Sequence, residues 1–235
     1  MKILIINPNS SPEMTDKIKD TALEFVAGAF EVECLPTQGA PEYIETYEDQ
    51  LKAAPGMIRL IRENEKTCDA FVIACHCDPN LDAMKEITTK LVVGIGEASM
   101  KIASMLGHTF SVITDTFHSI PNKEALAQKY HLQNMLASAR ASEKESEDLS
   151  LEEKIVQAAE VAVKEDHAEV LVLGCAGMTG MDKRLKEKFG VPVLDGVICA
   201  LIIASGLVQY GLSTSKACRY NPSHKANMPF SADPS

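Results

Sequence analysis

A short, apolar, β-branched run that ends at a cysteine and passes into a loop occurs twice in this chain, and that repeat rules out more folds than any other part of the sequence. Ala70-Phe71-Val72-Ile73-Ala74 leads to Cys75, and Glu169-Val170-Leu171-Val172-Leu173-Gly174 leads to Cys175. Runs of this length suit strands buried on both faces of a parallel sheet, and the loop after such a strand is where α/β proteins place their binding groups. The repetition predicts two thiols at equivalent places, able to meet at one site.

The rest of the chain alternates in the same way. Residues 2–6 read as a first strand, Asn7-Pro8-Asn9-Ser10-Ser11-Pro12 as turn chemistry, and 13–27 as a helix. A strand at 31–35 precedes a helical stretch at 43–65 with an expected break near Pro55-Gly56. The loop His76-Cys77-Asp78-Pro79-Asn80 opens a helix with Pro79 near its first turn, where a missing N–H costs nothing. The strand 91–94 and helix 95–106 carry the chain into a second half. There 110–114 reads as a strand with 115–119 as its loop, followed by a helix reaching about 166, the Cys175 strand, a helix at 181–189, a strand at 191–194 and an apolar helix at 197–210. The charged stretch 143–153 reads as a solvated loop and helix start. Alternating strands and helices predict an α/β fold of two similar parallel-sheet domains related by pseudo-two-fold symmetry, with a cleft between them. The expected division is 1–97 plus about 211–235, and 98–210.

At 235 residues the chain can bury a sizeable core. A net charge of −10 gives no electrostatic reason to expect nucleic acid or an anionic membrane as partner, so a small molecule is expected, with a homo-oligomer left open. No apolar stretch reaches the roughly 18 residues of a membrane span, and the N-terminus enters a strand without a signal pattern, so the expected location is cytoplasmic. Seven cysteines, an odd number, argue for reduced thiols, with Cys34, Cys68, Cys199 and Cys218 as packing residues.

A thiolate is the reactive form of cysteine, and a helix N-terminus lowers its pKa while offering N–H groups to a developing anion. If both thiols sit at such ends and face one another, one thiolate can take a proton from carbon while the opposite thiol returns one to the other face. The plainer reading is that each cysteine is a small buried hydrophobe, which a non-catalytic binding module would share. The repeated context favours function. Cys75-His76-Cys77 also resembles half a zinc site or a redox pair, but no second Cys/His cluster stands at metal spacing, so no metal or cofactor is expected. Cys77 is expected to point away from Cys75 if the backbone stays extended, and Cys77→Ala to retain most activity. His76 could bind substrate, orient Cys75 or cap a helix; Asp78 and Asp115 could bind or merely cap, and Glu97 could support the site or merely suit a helix start.

Asn7-Pro8-Asn9-Ser10, Gly39 to Asp49 with Ile44-Glu45, Ala74-Cys75-His76-Cys77-Asp78-Pro79, Gly94-Ile95-Gly96-Glu97-Ala98 and Leu173-Gly174-Cys175-Ala176-Gly177-Met178, in this order, resemble the Asp/Glu/hydantoin racemase superfamily, and within it the hydantoin and allantoin racemase branch. The resemblance spans nearly the whole chain. It implies a cofactor-independent isomerase with Cys75 and Cys175 as catalytic pair, and substrate contacts from Asn9, His76, Thr114 with Asp115, Ala176 and Gly177. His76-Cys77 and Gly39-Ala40-Pro41-Glu42-Tyr43 depart from the usual pattern. The candidate loops hold no Arg or Lys; they offer Asn7, Asn9, Ser10, His76, Thr114 and Thr116, a set suited to a neutral ring rich in C=O and N–H groups. That favours a 5-substituted hydantoin or allantoin, with an aspartate or glutamate racemase, a decarboxylase or a cis–trans isomerase as alternatives.

Overall fold

The computed structural model describes residues 1–142 and 149–221. Residues 143–148 and 222–235, which include the start of the charged stretch and the end of the tail assigned to the first domain, lie outside the described residues.

Two four-stranded, all-parallel sheets form with the same strand order. In the first half, β1 (Lys2–Asn7), β2 (Glu31–Pro36), β3 (Ala70–Ile73) and β4 (Leu91–Gly94) line up as β2-β1-β3-β4. In the second, β5 (Phe110–Ile113), β6 (Leu136–Arg140), β7 (Val170–Leu173) and β8 (Val193–Leu194) line up as β6-β5-β7-β8. The two cysteine-terminated runs are thus central strands, wholly buried along their length, as their uninterrupted apolar sequences require. The sheet order repeats as expected, and β6, whose Leu-Ala-Ser-Ala-Arg sequence lacks β-branched residues, is the strand the sequence pattern does not announce.

The helices are α1 (Pro12–Val26), α2 (Tyr47–Asn64), α3 (Leu81–Ile87), α4 (Ile95–Leu106), α5 (Ile120–Lys129), α6 (Leu151–Lys164), α7 (Asp182–Phe189) and α8 (Gly196–Gln209). Three differ from the sequence expectation, which has no helix at the position of α5. α2 runs unbroken through Pro55, which sits on the exposed side, while Ala53, Met57 and Ile61 hold the helix to the sheet. It also begins later than expected, at a capping box between Thr46 and Asp49, which leaves Tyr43 to Thr46 as irregular chain. α3 begins at Leu81, so Pro79 precedes the helix.

α4 and α8 pack against one another and exchange sheets. α4 follows β4 yet places Met100 and Ala103 in the core of the second sheet, and α8 follows β8 yet buries Val197, Ala200, Leu201 and Ala204 against the first. The helix that closes the expected 98–210 unit therefore covers the sheet of the other unit. The two helices meet at their N-termini, where a Cβ on Gly196 would stand 3.1 Å from the carbonyl oxygen of Ile95. No helix among the described residues is long and apolar enough to cross a membrane.

Candidate active site

A cavity of about 590 Å³ opens beyond the carboxyl ends of β1, β3, β5 and β7, the two innermost strands of each sheet. Cys75 and Cys175 both line it. So do Asn9, His76, Asp115, Thr116, Ala176 and Gly177. Three other expected contacts do not. Asn7 is fully buried and donates through Nδ2 to Asn9 Oδ1 (2.7 Å) and Thr15 Oγ1 (2.9 Å), which makes it the support that aims Asn9. Ser10 is tied through its N–H to the Pro41 carbonyl (3.0 Å), and Thr114 donates to Asp115 Oδ1 (3.2 Å).

Neither cysteine sits at the N-terminus of a long helix. Leu81 opens α3 well beyond Cys75, and Cys175 precedes a single 3₁₀ turn, Ala176–Met178. The helix dipole is therefore not what sets these thiols apart. The difference comes from local partners. After Cys75 the chain turns at once, with the Asp78 N–H bonded to the Cys75 carbonyl (2.9 Å) and Asp78 at φ 45°. That turn brings Cys77 Sγ to 3.3 Å from Cys75 Sγ, contrary to the extended geometry expected. The Cys77 thiol and its backbone N–H both favour a thiolate on Cys75, whose pKa is held below the ordinary cysteine value despite burial, with Lys123 adding to the effect. Cys77 is correspondingly pushed up by that contact and by burial. Among the described residues Cys175 has only the Gly177 N–H (3.4 Å), and burial followed by the charge of Asp115 pushes it up to about 12. One wall of the cavity thus favours a thiolate and the other holds a thiol.

His76 is buried and its pKa is pushed well down by desolvation first and by Lys123 second, so it stays neutral. The Ser99 hydroxyl donates to the Ile95 carbonyl (2.7 Å), so the contact between Ser99 Oγ and His76 Nε2 (3.2 Å) assigns the ring proton to Nε2. Nδ1 is then a bare acceptor, buried with no partner among the described residues. Asn122 Oδ1 is in the same condition, and Asn122 also lines the cavity.

Asp78 does not face the cavity. It caps α4 from outside the helix, accepting from the Gly96 N–H (3.1 Å), the Glu97 N–H (2.6 Å) and the Tyr130 hydroxyl (2.6 Å). Burial outweighs these bonds and raises its pKa to about 6. Glu97 pairs with Lys85 and Lys101 and does not line the cavity.

Two groups of lining residues escape the loop-based reading. Tyr43, Ile44 and Tyr47 form an apolar rim at the start of α2, together with Leu151 of α6. Asn122 and Lys123 come from α5, and Lys123 supplies the cation that the loops lack. A faint signal for it exists: Pro121 marks a helix start, and Lys123, Leu126 and Ala127 share its buried face at helical spacing. Among the described residues no cluster of three His, Cys, Asp or Glu side chains is arranged to hold a metal.

Residues 3–204 match the family model for Asp/Glu/hydantoin racemase. A hydantoin racemase of Paenarthrobacter aurescens is 39% identical over 94% of this chain and 96% of its own length. Among solved structures, an allantoin racemase from Klebsiella pneumoniae superimposes with a TM-score of 0.88 at 32% identity, covering 94% of this chain and 92% of that one. The allantoin racemase from Pseudomonas fluorescens gives 0.87 at 34% identity, covering 94% and 96%.

Proposed function

The chain belongs to the Asp/Glu/hydantoin racemase family and is a racemase; we propose that it works without a cofactor, with Cys75 and Cys175 as its acid–base pair, on 5-substituted hydantoins or allantoin. The observation that carries this reading is the pairing of a favoured thiolate with a disfavoured one across a single cavity. A two-base racemisation starts from one thiolate and one thiol, because two thiolates could not reprotonate carbon and two thiols could not deprotonate it, and an unequal pair supplies that state for one direction. Cys75 takes the proton from the ring carbon next to a carbonyl, the electron pair moves onto the carbonyl oxygen, and the Cys175 S–H delivers its proton to the opposite face. The other enantiomer is converted with the roles exchanged.

The unpaired acceptors support a ring substrate. His76 Nδ1 and Asn122 Oδ1 each want an N–H donor, and hydantoin and allantoin rings carry two. Asn9, its Oδ1 held by Asn7 Nδ2 (2.7 Å) and the Ser11 N–H (3.0 Å), has only Met14 Sδ as a partner for Nδ2 among the described residues and can offer the second amide hydrogen to a ring carbonyl. The apolar rim of Tyr43, Ile44, Tyr47 and Leu151 suits a 5-substituent. A polarimetric screen against allantoin, 5-alkyl and 5-aryl hydantoins, aspartate and glutamate tests the assignment. Turnover of the ring compounds and none of the amino acids is expected; turnover of free amino acids alone would overturn it.

A further inference from the structure

Lys123 is only 4% exposed, yet it lines the cavity and among the described residues makes no hydrogen bond or ion pair. Its stem is buried and its ammonium opens to the cavity, whereas a lysine with room to do so extends its charge to bulk water. Lys129, at the far end of α5, does this: it is exposed and pairs with Asp82 at 2.7 Å. Lys123 instead points inward with Leu126 and Ala127. The two carboxylates that line the same cavity are engaged or remote, Asp115 accepting the Thr114 hydroxyl and Glu45 standing exposed. The Cys75 thiolate is stabilised first by Cys77, and its charge leaves the sulfur when it takes a proton.

We propose that Lys123 is an anion anchor, and that this racemase takes ring substrates whose 5-substituent ends in a carboxylate. The inference rests on the racemase reading above and adds to it a selectivity residue on α5. Asn122, adjacent in sequence, offers its unpaired Oδ1 to a ring N–H, so the two residues together hold the ring and its charged arm.

The test compares 5-(2-carboxyethyl)hydantoin with its neutral isostere 5-(2-carbamoylethyl)hydantoin. The wild type is expected to favour the carboxylate by about tenfold in kcat/KM, chiefly through KM. In Lys123→Met the ratio falls to near one, and Lys123→Arg restores most of it. A wild-type ratio near one overturns the proposal, as does a ratio that survives in Lys123→Met, since the lysine would then serve the thiols alone. If the wild type racemises neither compound, the ring-substrate reading is tested separately on allantoin and the 5-alkyl hydantoins. Calorimetric titration with the same two compounds then decides: tighter binding of the carboxylate, lost in Lys123→Met, supports the anchor, whereas equal binding or none overturns it.

Discussion

The loops after Cys75 and Cys175 face the same structural problem and place the carboxylate on opposite partners. Each must be tied to the N-terminus of the long helix that crosses to the other sheet. In the first half the carboxylate belongs to the loop: Asp78 reaches α4, whose N-cap is Gly94, and a Cβ on that glycine would collide with the Asp78 carboxylate. In the second half it belongs to the helix: Asp195 is the N-cap of α8, accepts from the Val197 N–H (2.8 Å), and reaches back to the Gly180 N–H (2.9 Å) and the Thr179 hydroxyl. The consequence for chemistry lies in the loops themselves. The first loop turns sharply between Cys75 and Asp78, with Cys77 folded onto Cys75; in the second, Cys175 has one backbone donor among the described residues. A shared architecture thus yields two thiols of unequal acidity.

The contrast between the loops depends first on the sulfurs. Cys75→Ala and Cys175→Ala should each lower racemisation by about 10³-fold, read by polarimetry, because general acid and base must both be present. Retained turnover in either variant would make that cysteine a packing residue. Next in size is Gly94→Ala, which forces a methyl group into Asp78 and should cost about 1–3 kcal/mol in urea denaturation; a neutral result would remove Asp78 as the fixed strut of the first loop. Cys77→Ala, expected from the sequence to keep most activity, removes the thiol that lies 3.3 Å from Cys75 Sγ and favours its thiolate, and that contact replaces the expectation. The Cys75 pKa then rises, so the acidic limb of the kcat/KM profile should move to higher pH, with about a tenfold loss at neutral pH. An unmoved limb would show that Cys77 does not set the asymmetry.

The smallest effect is expected in the pH dependence of stability. Asp78 has its folded pKa raised to about 6, so the folded state binds its proton more readily than the unfolded chain does. Its contribution to stability is therefore fully present below the ordinary carboxylate pKa and declines as pH rises towards 6, opposite in sign to the surface carboxylates held by cations. In Asp78→Asn that particular decline should vanish from the difference between the two stability profiles; identical profiles would mean that the strut titrates as it does in the unfolded chain.

Much of this is legible in the chain because burial on two sides writes itself as uninterrupted apolar sequence. β3 and β7, their cysteines and the repeat of the two halves follow from Ala70–Ile73 and Val170–Leu173 alone. β6 and α5 do not announce themselves in that way, since Leu136–Arg140 has no β-branched residue and α5 has little contrast between its faces. The first loop is a tight turn closed by the Asp78 N–H on the Cys75 carbonyl, followed by left-handed backbone at Asp78 and Asn80; the apolar pattern does not announce that turn, and it reverses the expected direction of Cys77. Lys123 escapes the premise that binding groups come from strand-end loops, because this cavity is closed in part by the flank of a helix.

The two-thiol account stands or falls on solvent deuterium exchange at the substrate stereocentre in the single-cysteine variants. With each pure enantiomer in D2O, Cys75→Ala and Cys175→Ala should each exchange the proton of one enantiomer only, the opposite one in the two variants, and neither should racemise it. Exchange of both enantiomers by one variant, with racemisation continuing, would contradict the assignment of one sulfur to each face.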